Sequence, residues 1–201
     1  RLQQDISQTS GQKILIGAIG GTVSDGDAIC VLSSKDSTGV GQFDTSGGPK
    51  WVRNIVYYCI TPQNHDSYAG TTCSPAVGPW QADDHCPHKI LIRQEIDLPD
   101  MPVGNPDPEQ LLTPSELQSA IIAPLGTDLS PIRAQANCRK AEILGTQMLG
   151  MKVFRNSAGV QIELVAVDLA RANREIRVGQ TSLYSSSYVQ SYQFSISPEM
   201  P

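Results

Sequence analysis

The chain has 201 residues, 15 Lys and Arg against 20 Asp and Glu, and a formal net charge of −5. That balance argues against a nucleic-acid or anionic-membrane surface, since both need clustered Lys and Arg. No stretch reaches the roughly 20 apolar residues that cross a bilayer, and the ordinary apolar share marks a globular chain long enough to bury its own core.

Arg1 rather than Met opens the chain and no signal peptide is present, so an N-terminal segment is expected to have been removed. Residues 1–10 are polar, with Leu2 and Ile6 four apart on one helical face. They read as the exposed end of a longer helix, over residues 1–22, although Gly17, Gly20 and Gly21 make its continuation expensive. A Ser/Asp/Gly-rich stretch follows. Residues 51–60 are β-branched and aromatic, a strand signature. Residues 89–97 alternate: Ile90, Ile92 and Ile96 face one way, with Gln94 interrupting, and Lys89, Arg93, Glu95 and Asp97 are expected to face water.

Between these strands, residues 61–88 form an excursion too long for a simple hairpin loop. The five cysteines are Cys30, Cys59, Cys73, Cys86 and Cys138, and three of them border or occupy the excursion, as expected of a loop pinned by a disulfide. Their polar, Gly-rich settings suit an oxidising compartment, and sequence does not choose among the possible pairings.

Residues 97–112 are a Pro-rich linker. Thr113-Pro114-Ser115-Glu116 then spells a capping box, which predicts a short helix ended by Pro124. Strands are predicted over 145–154, 160–168 and 188–197, with a turn at 156–159 and a loop at 181–187. No internal repeat is evident. The order predicts one α+β domain over residues 1–201: an N-terminal helix packed on an antiparallel sheet with long, disulfide-pinned loops.

Four stretches suggest chemistry. Phe43-Asp44-Thr45-Ser46-Gly47-Gly48 has the turn of an aspartic protease, but that reaction shares a proton between two carboxylates and no second copy exists. An Asx-type loop is the expected reading. His65, His85, Cys86 and His88 with Cys59 and Cys73 lack the doubly paired spacing of a zinc site. Residues 14–21, ILIGAIGG, lack the spacing of a dinucleotide turn, which leaves a packing or kink role for the glycines. Asp25-Gly26-Asp27, and Asp97, Asp100, Asp107 and Glu109, match no calcium loop. The expectation is a protein without catalytic residues, metal or cofactor.

Four segments, in this order, resemble the soluble domain of a type IV minor pilin or type II secretion pseudopilin, the prepilin-type proteins. They are Arg1-Leu-Gln-Gln-Asp-Ile-Ser-Gln, Asn54-Ile-Val-Tyr-Tyr, Lys89-Ile-Leu-Ile-Arg-Gln-Glu, and Val160-Gln-Ile-Glu-Leu with Tyr192-Gln-Phe-Ser-Ile-Ser-Pro. Phe194-Ser-Ile-Ser-Pro198 departs from the Arg-Asn that often closes the minor proteins of this class.

The resemblance implies a pilin-like domain whose missing apolar helix anchors it on the periplasmic face of a bacterial inner membrane before it joins a filament. It implies other pilin or pseudopilin subunits as partners, and a role in priming or capping assembly. Tyr68 and Trp80, in the Cys-bordered excursion, are the candidate contact residues, being of types enriched in binding cores. A secreted adhesin or carbohydrate-binding module, with Trp51, Trp80 and tyrosines as its platform, is the alternative.

Overall fold

The structure is a computed structural model and describes residues 2–9, 13–17, 25–26, 28–36, 38–60, 89–97, 110–121, 128–156, 159–167 and 189–196. Its elements in chain order are α1 (Leu2–Ser7), β1 (Ile14–Gly17), β2 (Asp25–Gly26), β3 (Ala28–Ser33), β4 (Arg53–Ile60) and β5 (Lys89–Ile96). Then come α2 (Pro114–Ala120), α3 (Ser130–Arg133), β6 (Cys138–Asn156), β7 (Gly159–Val167) and β8 (Val189–Ile196).

All eight strands join one antiparallel sheet. Seven run in the order β1-β3-β4-β5-β6-β7-β8, and β2 pairs on β6. The long strand β6 bends the sheet. Its first part pairs with β5 as far as Met148, and from Met148 onward it pairs with β7. At the changeover Gln147 takes a left-handed φ of 58°, and the register shifts between Met148 and Gly150. Such an irregularity kinks a strand and tightens its twist, which is how sheets turn corners. The sheet curls until its first edge returns towards β6: β2 pairs with Val153 and Phe154, and the Arg155 guanidinium donates to the Ile14 carbonyl at 2.5 Å. The outcome is a nearly closed, barrel-like sheet.

Both faces of β3, β4 and β5 are buried. Inside the curl, Ile14, Ile29, Ile55, Tyr57, Leu91 and Val153 pack with Leu2 and Ile6 of α1. On the outer face, Val56, Tyr58, Ile90 and Ile92 lie under Leu117 of α2 and Ile132 of α3. Helix α2 starts on the predicted capping box, in which the Thr113 hydroxyl accepts from the Glu116 amide and Glu116 accepts from the Thr113 amide. Gly17 supplies the closeness: a Cβ there would sit 2.6 Å from Leu117 Cδ2, so the bare backbone lets α2 approach β1.

These observations overturn the expected α+β fold of an N-terminal helix packed on a sheet with disulfide-pinned loops. The chain is mostly antiparallel sheet. The helix expected over residues 1–22 contracts to the six residues of α1, and residues 14–17 form a strand instead. Ile14, Leu15 and Ile16 gain more as a paired, half-buried strand against β3 than as a helix that would have to carry Gly17. No disulfide joins one described cysteine to another: Cys30 and Cys138 are free thiols, and Cys59 is buried. Cys73 and Cys86 lie outside the described residues, as do the excursion 61–88, Tyr68 and Trp80.

The strained bend yields a direct expectation. Replacing Gln147 by Val puts a β-branched side chain where φ is positive, which costs about 1–2 kcal/mol. Urea unfolding of Gln147→Val is expected to show that loss, whereas Gln147→Gly stays at or above wild-type stability.

Candidate functional site

One end of the curled interior is polar. A cleft of about 220 Å³ opens there, walled by Asp5 of α1, Arg53 of β4, Arg93 and Glu95 of β5, and Lys140 of β6, with Lys35 beyond the end of β3. Strand register explains the assembly. Ser33 stands opposite Arg53, Arg93 opposite Tyr57, and Glu95 opposite both Ile55 and Lys140, so alternate residues of neighbouring strands project to the same interior face. This corrects the expectation for β5. Lys89, Arg93 and Glu95 do not face water; they are buried with exposures of 4%, 4% and 8%. The second face of β5 is the inside of the curl, and Ile90, Ile92 and Ile96 lie beneath the outer helices.

The buried polar groups bond to one another. The Tyr57 hydroxyl donates to Asp5 Oδ2. Arg93 Nε donates to the same oxygen at 3.0 Å and to the Tyr57 oxygen at 3.1 Å, and its guanidinium carbon lies 5.9 Å from the Tyr57 ring centre. Arg93 Nη1 reaches Glu95 Oε1, while Arg53 Nη1 reaches Glu95 Oε2. Glu95 thus bridges two arginines, and Arg93 bonds to Asp5 and Glu95 with Glu142 a third carboxylate 3.6 Å from its Nη1. On the margin, Lys140 pairs with Glu142 at 3.0 Å.

Titration follows from these contacts. Burial pushes the Tyr57 hydroxyl up, and the adjacent Asp5 charge pushes it further, so it stays a neutral donor. Burial opposes the charge on Arg93 most strongly, but its bond to Glu95 together with the neighbouring Asp5 and Glu95 charges outweighs this and holds the guanidinium protonated. For Glu95, burial raises the carboxyl and the bonds and charges of Arg93 and Arg53 outweigh it, leaving it below the ordinary range. The outer face carries a smaller polar set, in which Tyr58 donates to Gln94 and Gln94 donates to Gln135 at 2.7 Å.

The loop at the rim explains Asp44. Asp36 Oδ1 accepts from the Thr38 amide, the Thr38 hydroxyl and the Val40 amide, and the Asp36 amide donates to the Val40 carbonyl. Asp44 Oδ1 accepts in the same way from the Ser46 amide, the Ser46 hydroxyl and the Gly48 amide, and the Asp44 amide donates to the Gly48 carbonyl. Gly39 and Gly47 occupy matching left-handed positions with φ of 86° and 84°. The expected Asx-type loop therefore occurs twice, as an Asp-x-Ser/Thr-Gly repeat that the sequence reading passed over. Both carboxyls are held low, chiefly by the Thr38 and Ser46 hydroxyls. Asp44 is a turn-former here.

Other sequence candidates separate. Cys30 is buried, its thiol pushed up by burial, and its Sγ lies 3.4 Å from Asn54 Oδ1. Cys138 is half-buried and likewise raised by burial. Asp97 accepts from Arg139 Nε at 2.6 Å. Asp25 and Gly26 form β2, whereas Asp27, Asp100, Asp107, Glu109 and the histidines His65, His85 and His88 lie outside the described residues. Among the described residues no group of three or more His, Cys, Asp or Glu is placed to hold a metal ion. The interior network escaped the sequence reading because Arg93 and Glu95, at alternate positions, look like a solvated strand face. Asp5, between Leu2 and Ile6, was the available sign, being a carboxylate inside an apolar helical stripe.

No family model, curated protein or solved structure matches this chain.

The network sets a pH dependence. A carboxyl held below its unfolded value, ordinarily about 4.3, contributes fully above that value and loses the contribution as pH falls through its folded pKa. Glu95→Gln is expected to lower stability at neutral pH by about 3–5 kcal/mol, because it leaves two arginines poorly paired in a buried place. Wild-type and variant curves from urea unfolding are expected to converge on acidification. Curves that stay parallel down to acid pH exclude this role for Glu95.

Proposed function

We propose that this chain is a non-catalytic, prepilin-type subunit that works outside the inner membrane by contact with sister subunits of a pilus or secretion pseudopilus. What supports the reading is one juxtaposition. Asp5, Tyr57 and Arg93 come from three of the four segments that resemble the family, and they meet in one buried cluster. Segments that resembled the family only by their order in the sequence thus share a physical task.

That task suits a subunit held through its N-terminal end. A six-residue helix is far below the roughly 12–15 residues that persist alone in water, so α1 depends on what it packs against. Leu2 and Ile6 bury in the interior core, and Asp5 ties the same helix to β4 and β5. Tension on the chain entering α1 would pass into the middle of the sheet, not peel an edge strand. The proposal does not lean on a pilin-like helical layer, which the curled sheet replaces.

The alternative, a free-standing secreted binding module, draws on a different observation. Phe43 and Val40 are 69% and 58% exposed on the doubly braced ribbon between β3 and β4, whereas Trp51 is half-buried.

Mass spectrometry of the native protein's N-terminal peptide, isolated from its host's membranes, separates the two. The assembly reading expects an apolar, N-methylated terminus upstream of Arg1 and in-cell cross-links to a second pilin-type subunit. An ordinary secretory-signal terminus on a freely released chain overturns it in favour of the binding module.

A further inference from the structure

We propose that the polar cleft at the mouth of the curled sheet binds a small monocarboxylate, held between the Arg53 guanidinium and the Lys35 ammonium. The inference stands apart from the assembly role and rests on which hydrogen-bonding groups around the cleft are already spent.

Carboxylates and arginines alternate around the opening, so net charge does not decide what it takes. Unspent capacity does. Both oxygens of Glu95 are engaged, one by each arginine. Asp36 accepts three bonds on Oδ1 from its own loop, and its Oδ2 accepts from Gln42 Nε2 at 2.8 Å. These two acceptors have little left to offer a ligand.

The donors are less occupied. Arg53 is buried to 8% exposure, yet among the described residues its guanidinium makes a single contact, from Nη1 to Glu95. Its Nε is sealed from solvent and, among the described residues, lacks a hydrogen-bond partner, which leaves the outer end of the guanidinium to face the cleft. A buried, unsatisfied donor on a charged group costs roughly 1–3 kcal/mol or more. Lys35 enters no ion pair among the described residues and also lines the cleft, as does Gln4 of α1.

A guanidinium and an ammonium lining one cleft both favour a carboxylate. Asp5 limits the charge of the ligand. Its Oδ2 is engaged by Tyr57 and Arg93, and its negative charge in the same wall disfavours a second negative charge on the guest. The cleft volume of about 220 Å³ lies under the roughly 300–1,000 Å³ of drug-sized sites, which restricts the guest to a few carbons. Mouths of barrel-like sheets are a recurrent place for such sites.

The test is an NMR titration of the isotope-labelled 201-residue chain with sodium acetate and sodium lactate, against sodium chloride and sodium phosphate at constant ionic strength. Saturable shifts are expected for the amides of Lys35, Gly39 and Arg53 with the carboxylates, half-complete by about 10 mM, the weak affinity suited to a partly open site. Chloride should give none, and phosphate should bind more weakly. Lys35→Gln keeps the backbone contacts of its loop and removes only the ammonium. It is expected to retain the wild-type spectrum and weaken carboxylate binding about tenfold, as loss of one charged hydrogen bond does. Three results each overturn the proposal: no saturable carboxylate shift, tighter binding of phosphate than of acetate, or unchanged carboxylate affinity in a folded Lys35→Gln variant.

Discussion

The rest of the architecture depends on a buried ionic chain that runs from α1 into the sheet: Asp5 to Tyr57 and Arg93, Arg93 to Glu95, and Glu95 to Arg53. Buried charges are costly unless each is paired and hydrogen-bonded, and swapping such a set for apolar side chains often leaves stability unharmed. What the chain supplies is position. Apolar contacts alone would let α1 slide or rotate on the smooth interior of the curl, because Leu2 and Ile6 offer only non-directional burial. A carboxylate that must meet a phenol and a guanidinium admits one placement. The network therefore sets where α1 sits, and α1 in turn fills the interior that the curled sheet encloses.

That enclosure begins in β6. A flat antiparallel sheet with helices on one face would expose its other face, and the alternating Arg93 and Glu95 would then be ordinary surface residues. The bend around Gln147 and the split pairing of β6 between β5 and β7 turn that face inward. Its polar members must then find partners, because water no longer serves them. Curl and ionic chain are thus coupled. The bend creates the interior, and the interior compels Arg93, Glu95 and Arg53 to pair.

Much of the strand content was legible from side-chain type. The runs 51–60, 160–168 and 188–197 correspond to β4, β7 and β8, since β-branched and aromatic residues signal strands whatever lies opposite. The capping box of α2 was legible because it is a local hydrogen-bond pattern that needs no tertiary partner. What failed was everything set by distant contacts. Ile14–Gly17 carries no alternation that separates a short strand from a helix end, and only β3 decides it. Ala28–Ser33 is buried along its whole length, so it shows no period at all. Cys138 to Glu142 opens β6 earlier than the predicted 145–154, because its half-exposed residues take their order from β5. Beyond the sign in Asp5 itself, the membership of its cluster was illegible for the same cause: which charges share an enclosed space is a property of the curl.

The two Asp loops show the complementary case, local chemistry strong enough to be read without the fold. In each, one carboxylate oxygen gathers two amides and a hydroxyl, and a glycine takes the left-handed position that closes the turn. Their repetition makes the ribbon between β3 and β4 rigid while leaving Phe43 and Val40 in solvent. Bracing matters on an exposed apolar tip, because a side chain already held in place loses less freedom when something covers it. The first loop also contributes Asp36, Thr38 and Gly39 to the wall of the cleft. One short stretch of sequence therefore stiffens an apolar tip and frames a polar opening, and the Asp36 oxygens on that opening are spent within their own loop.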